Sequence, residues 1–319
     1  MTSGKPSLSV VIVSWNTKKI LAECLESLEH CRGLCMEIIV VDNASSDGSS
    51  EAVRMRFPEV RLVQNEANLG FAKANNIGIG LSSGRYVCLI NSDVVVPDGC
   101  IEKMVMYMDQ HSDIGMLGPK MILSDGTVGH SCMRFPTVWN WFCSALALDS
   151  FFKTSKLFGN FMMTDFNYDR TQDVDLLTGW FWMVRREALS QVGGLDDRFF
   201  MYGEDFDWPR RFHQCGWRVV FYHEAEAIHY CGASSSRAPV RFYVEMNRAN
   251  LQYFRKHHNT LAVMGFWFAM WLRQILRLVG YGVVYLFKKS QREEAGFKVK
   301  RSLTCLCWLV NPRIPGESR

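Results

Sequence analysis

No Cys-x-x-Cys pair occurs in this chain of 319 residues, although it holds 11 cysteines. Scattered singly, they exclude a zinc ribbon and fit reduced, mostly buried thiols better than a disulfide framework. No Gly-x-Gly-x-x-Gly follows the first apolar strand, which removes the phosphate-binding turn of a dinucleotide-dependent dehydrogenase. The same stretch, VVIVSWNTKK, also lacks the glycine-rich basic loop that a nucleotidyltransferase would carry. The N-terminal MTSGKPSLSVVIVSW has a single lysine before its apolar run and no small-residue cleavage site. It reads as the start of a cytosolic protein, without a secretory signal. What is present is a globular composition, 48% hydrophobic and 21% charged, enough for one substantial core or two modest ones.

The net charge of +4 is unevenly spread. Residues 251–319 hold 12 Lys and Arg against 3 Asp and Glu, a net of +9, which leaves −5 for residues 1–250. The aromatics of the basic end are embedded in long apolar runs, which suit lipid better than a phosphate groove and argue against nucleic-acid binding.

Strand and helix signals alternate through the first hundred residues. Leu8 to Trp15 is a short apolar, β-branched run, and Thr17 can cap a helix from Lys18 to about Glu29 with apolar positions at helical spacing. Glu37 to Val41 leads into a loop from Asp42 to Ser49 dense in capping and turn residues, with a helix opening near Ser50. Val60 to Gln64, the loop NEANLG, and a helix from Phe71 to Leu81 repeat the cycle. The continuous apolar run Tyr86 to Ile90 is then a strand buried on both faces, ending in Asn91, Ser92 and Asp93. This alternation predicts an α/β fold, a mostly parallel sheet with helices on both faces. Its strand ends would bring Asp42, Asn65 with Asn68, and Asp93 to one crevice. Further on, Val174 to Arg186 is ordered, Gly203-Glu204-Asp205-Phe206-Asp207 precedes a helix running to Cys215, Trp217 to Tyr222 reads as a strand, and a short extended piece ends near His229. Residues 130–173 show no clean period.

These pieces, VVIVSWN, VVDNASSDGS, NEANLGFAKANNIGI, LINSD, GWFWMVRREALSQVGGLDDRFFMYGEDFDWPRR and IHYCGASS, stand in order over roughly residues 8–255. Together they resemble a family 2 inverting glycosyltransferase of the Rossmann-like GT-A fold, most similar to the rhamnosyltransferase-like branch that builds bacterial surface polysaccharides. The resemblance implies a nucleotide-diphosphate sugar donor (dTDP or UDP) and a saccharide or lipid-linked saccharide acceptor. It implies a divalent cation, Mg²⁺ or Mn²⁺, on Asp93 and His229, and a base at Asp205, with Glu204 second. Asp42 would read the nucleotide base, while Asn43, Asn68, Gly70, Asn75, Asn76, Asn91 and Ser92 would surround ribose and diphosphate; helix capping and Asx turns compete for several of these. Gly179, Trp180 and Trp208 are the implied acceptor pocket. Paired carboxylates at Glu204 and Asp205 would raise one another's pKa. The sequence departs from the family in carrying Asn-Ser-Asp rather than Asp-x-Asp, one carboxylate fewer for the cation, and Trp208-Pro209 where a leucine and a small residue are usual.

The implied division is a catalytic domain over 1–238, with a donor half to about 125 and an acceptor half over about 126–238, then a helical region over 239–319. Within it Pro239 to His258 reads as an amphipathic helix. Leu261 to Phe287 is long enough to span a bilayer but has Arg273, Gln274 and Arg277 near its middle, where charge is costly. One or two helices lying on the cytoplasmic face of the membrane are expected instead, with Trp267 and Trp271 at headgroup level and Lys288, Lys289 and Arg292 toward anionic lipid. A homodimer through the aromatic tail is a further expectation.

Overall fold

The computed structural model describes residues 6–29, 31, 34–231 and 238–310. The end of the closing motif, Gly232 to Ser235, and the terminal residues 311–319 lie outside them. In chain order the elements are β1 (Leu8–Ser14), α1 (Lys18–Glu29), β2 (Met36–Asp42), α2 (Ser49–Arg56), β3 (Arg61–Gln64), α3 (Phe71–Leu81), β4 (Tyr86–Asn91), β5 (Val94–Val95), α4 (Cys100–Gln110), β6 (Ile114–Leu123) and β7 (Cys132–Met133). They continue with α5 (Val138–Ala145), α6 (Leu148–Phe151), β8 (Gln172–Asp173), β9 (Leu176–Leu177), β10 (Phe181–Arg185), α7 (Arg186–Val192), α8 (Glu204–Gln214), β11 (Arg218–His229), α9 (Pro239–His257), α10 (Thr260–Phe287) and α11 (Arg292–Val310).

Two compact units result: residues 1–135 with 166–237, and residues 136–165 with 238–319. Part of the stretch without a clear period thus belongs to the C-terminal unit.

The first unit is built on a sheet ordered β3-β2-β1-β4-β10-β6-β11-β5, with β8 on β11. Strands β1 to β4 pair in parallel, as apolar runs separated by helical crossovers require. Leu8, Val10, Val11, Ile12, Val87, Cys88 and Leu89 are all buried. The register sets Ser14 opposite Asp42 and Val13 opposite Asn91, so these strands end side by side. Strand β10 enters antiparallel between β4 and β6, with Phe181 opposite Ile90. Its start therefore lies at the carboxyl end of β4. Two-residue β5 pairs with the end of β11, with His229 opposite Val94.

In the second unit α10 is a single helix of 28 residues, started by Asn259, whose side chain accepts from the Ala262 amide at 3.0 Å. It packs with α5, α9 and α11. Trp141 of α5 and Phe254 of α9 both meet Phe266, edge-on and stacked respectively. Gln274 is fully buried, which shows where the polar middle of this helix points.

Candidate active site

At the end of β2, Asp42 is buried because apolar strands flank it. One carboxylate oxygen accepts from the Ser45 amide at 3.0 Å in an Asx turn. The other is buried with no hydrogen-bond partner, a costly state in a folded interior and the mark of an acceptor awaiting a donor. Asn16, in the left-handed region at φ 55°, ties the β1 end to the same loop by donating its amide to Ser45 Oγ at 2.8 Å and accepting from the Ser46 amide at 2.7 Å.

The neighbouring polar residues are mostly engaged within the protein. Asn43 donates to the Gly70 carbonyl at 3.1 Å and accepts from Asn65 at 2.9 Å. Asn68 accepts from the Gly70 amide at 3.0 Å. Gly70 has φ +84° and ψ 177°, and a Cβ there would sit 2.4 Å from the Phe200 carbonyl oxygen. Only glycine fits this turn. Asn75 donates to Phe71 O at 3.0 Å in its own helix, and Asn76 bridges to the Leu195 backbone through both its amide nitrogen and its oxygen. These hydrogen bonds brace α3 against its own first turn and against the Leu195 backbone. Ser92 accepts from Thr17 Oγ at 3.0 Å. Asn91 lies at the end of β4, where its backbone amide donates to the Trp180 carbonyl at 2.9 Å.

Asp93 and His229 are brought together by the β5–β11 pairing, with Asp93 Oδ1 3.1 Å from His229 Nε2 and the Tyr230 amide donating to the Asp93 carbonyl. Both are buried. The other ring nitrogen, Nδ1, faces Cys231 Sγ at 3.2 Å, a neighbour that sequence reasoning did not single out. Trp180 stacks on the imidazole, with ring centroids 5.4 Å apart and 20° between planes.

The residue before Trp180 makes the second link. Gly179 donates its amide to Asp205 Oδ1 at 2.8 Å, and a Cβ at Gly179 would lie 2.5 Å from that oxygen. One dipeptide, Gly179-Trp180, therefore holds the Asp205 carboxylate with its first residue and the His229 ring with its second. Asp205 keeps some solvent access, yet burial among protein atoms pushes its pKa up to about 7, against the lowering effect of the Gly179 amide. The leading cause is loss of water. Glu204 is buried and accepts from the Tyr202 amide at 2.8 Å, which uses it to shape the start of α8. Asp207 is fully buried and paired with Arg211 at 2.8 Å; Arg211 also donates to the Val192 and Gly194 carbonyls. This anchor of α8 went unnoticed in the sequence, though its i,i+4 spacing is visible there.

One expectation is corrected. Trp208 is fully buried, donating to the Gly193 carbonyl and packed edge-on against Trp182 and Phe212; it is part of the core. Pro209 is the sixth residue of α8. Lacking an N–H, it leaves the Asp205 carbonyl without its helical partner.

Among the described residues no group of three or more His, Cys, Asp or Glu could enclose a metal ion. Asp93 and His229 stand together as a carboxylate–imidazole pair. A cleft of about 780 Å³ lined by Asn16, Lys18, Glu26, Asp47 and Arg56 adjoins the β1 end, but Asp93, Asp205 and His229 are not part of its wall.

Residues 9–193 match the family described as Glycosyl transferase family 2. The N-acetylglucosaminyl-diphospho-decaprenol L-rhamnosyltransferase of Mycobacterium tuberculosis is 30% identical over 285 residues, 85% of this chain and 89% of that protein. The glycosyltransferase GlyG of Streptococcus pneumoniae is 35% identical over 106 residues, 32% of this chain and 35% of its own. Among solved structures, the mannosyltransferase PcManGT of Pyrobaculum calidifontis, in complex with GDP-Man and Mn²⁺, superposes with a TM-score of 0.58 at 14% identity, over 98% of this chain and 89% of that one. The fold and crevice define a GT-A glycosyltransferase. The chain belongs to glycosyl transferase family 2.

Proposed function

We propose that this enzyme transfers a rhamnose-like sugar from a nucleotide-diphosphate donor to a lipid-linked saccharide, with inversion at the anomeric carbon and Asp205 as the base. The observation that carries the reading is the Gly179-Trp180 bridge, which couples a carboxylate of pKa about 7 to the Asp93–His229 pair. A group that titrates near neutrality is suited to take the acceptor hydroxyl proton. The donor and acceptor follow from the mycobacterial relative, which is named for rhamnosyl transfer to a diphospho-decaprenol-linked N-acetylglucosamine.

Asp42, with its buried unpartnered oxygen, would accept from the ring N–H of a pyrimidine base. Asn91 and Ser92, at the end of β4, would flank the diphosphate. One carboxylate and one imidazole fit a divalent cation whose remaining positions are filled by donor phosphates and water; Mn²⁺ stands on the neighbouring fold in PcManGT. Such a cation would neutralise the departing diphosphate. Trp180 fixes the His229 ring, and the Gly179 amide holds the Asp205 carboxylate at one oxygen, which leaves the other to receive the proton.

In the C-terminal unit, Leu261, Met264, Phe268, Val279, Val283 and Phe287 are exposed along α10, at spacings that share a face. Lys288, Lys289 and Arg292 follow, also exposed. Among the described residues α10 is the one helix long and apolar enough to cross a membrane, but its polar middle is turned toward α9 and α5. We infer that it lies on the cytoplasmic leaflet, where a lipid-linked acceptor is found.

Replacing Asp205 by Asn tests the base. Transfer should fall by about 10²–10⁴-fold while donor affinity, read by calorimetry, stays within a few fold. Near-normal turnover would remove Asp205 from the mechanism.

A further inference from the structure

Three arginines gather inside the C-terminal helical unit. Arg277 of α10 donates to the Tyr243 hydroxyl at 3.1 Å, and Arg301 of α11 lies over the Tyr243 ring at 4.2 Å from its centroid. Gln274, fully buried, exchanges hydrogen bonds with the same hydroxyl. Arg273, one residue earlier, has its guanidinium 5.3 Å from the Trp141 ring. Loss of water, followed by the charge of Arg277, pushes the Arg273 pKa down to about 10, with Arg301 adding to the effect.

The cluster is not compensated. Among the described residues none of the three guanidiniums has a carboxylate within 4.0 Å, and Asp149 acts on Arg273 only from a longer range. Nε of Arg273 and Nε of Arg301 are buried without a hydrogen-bond partner. So are the Ser302 hydroxyl beside Arg301 and the Trp308 indole N–H, two turns further on α11. Like charges held together with idle donors in a packed interior are unfavourable unless an anion joins them. Guanidiniums present planar forks that match phosphate oxygens.

We propose that Arg273, Arg277 and Arg301 form a binding site for a phosphate group, as a mono- or diphosphate ester, supplied either by a membrane lipid or by a soluble diphosphate. The site lies wholly within the helical unit and does not depend on the assignment of Asp205 or of the donor.

The test uses the full chain, with EDTA present so that pyrophosphate is not drawn to a cation. In one arm, inorganic pyrophosphate is titrated against sodium chloride at matched ionic strength while Tm is followed. In the other, binding to vesicles of phosphatidylcholine with about one-fifth phosphatidylglycerol is compared with binding to phosphatidylcholine alone. Arg301→Gln and Arg277→Gln are measured beside the wild type, with Arg301→Lys as a variant that keeps the charge and loses the fork. The expected result is a rise in Tm with pyrophosphate beyond the salt effect, or preferential binding to the anionic vesicles, weakened about tenfold or more in the Gln variants. Their Tm without ligand should be no lower than that of wild type, since repulsion is relieved. A response to pyrophosphate alone identifies a soluble source; a response to vesicles identifies a lipid. A wild type that responds in neither arm, or Gln variants that respond as the wild type does, overturns the proposal.

Discussion

Asp205 carries two opposite demands in one side chain. Its pKa, raised by burial to about 7, places the deprotonated form within reach at neutral pH, and the activity that needs this form should be lost as pH falls. We expect kcat/KM to drop about tenfold per unit below pH ~7, measured on initial rates in a constant-ionic-strength buffer series; a profile flat from pH 8 to 5 would contradict it. Stability runs the other way. A carboxyl that binds its proton more tightly when folded contributes stability that is complete below the unfolded pKa near 4 and lost as pH rises through about 7. Asp205→Asn should therefore show a higher Tm than the wild type at pH 8, and the gain should vanish near pH 4. The neighbours of this residue were only partly legible in sequence. That an aspartate stood in the GED cluster was visible; that Gly179, 26 positions away, holds it was not, because the contact exists only once β10 runs antiparallel beside β4. Asn75 and Asn76 were ambiguous for a related reason: a side-chain amide within a helix can bind a ligand or brace a backbone, and spacing does not choose between them.

Elements were legible where apolar periodicity was strong. The helix over 71–81 and the strand from Tyr86 stand where the pattern puts them. Strand β6 did not show itself, since IGMLGPKMIL interrupts its apolar run with two glycines and a proline, residues disfavoured in strand interiors. The two extended pieces around 217–230 are one strand, β11, with an irregularity between Tyr222 and Glu226 where His223 and Glu224 break the apolar pattern. Turn chemistry yields a direct check. Gly70→Ala must leave a glycine-only conformation and clear a backbone oxygen, which should cost about 1–3 kcal/mol or more in urea denaturation; an unchanged midpoint would show that the turn relaxes freely. Helix α8 yields another. Pro209→Ala restores an N–H opposite the Asp205 carbonyl and should stabilise the protein by about 1–3 kcal/mol, read as a higher Tm. A lower Tm would mean that the proline ring's packing outweighs the missing bond.

At the scale of the molecule, the sequence suggests a division between a sheet-based unit and a helical one, through the excess of basic charge after residue 250 and the long apolar run from Leu261. The membership of residues 136–165 in the helical unit was not legible, because chain neighbourhood says little about which core a segment joins. Whether α10 would be one helix or two was open in sequence and is answered by an uninterrupted helix whose Arg273, Gln274 and Arg277 are used internally. Replacing Phe268, Val279 and Val283 by Ser should leave the fold intact, as these side chains are exposed. It should lower co-sedimentation with anionic vesicles about tenfold or more; undiminished binding would place the lipid contact elsewhere. The central claim, inverting transfer by a single displacement, is tested most directly by the product itself. The wild type would be incubated with dTDP-rhamnose, a lipid-diphosphate-linked N-acetylglucosamine and Mg²⁺ or Mn²⁺, and the anomeric configuration of the new linkage read by NMR. The account predicts a configuration opposite to that of the donor; retention of the donor's configuration would contradict it.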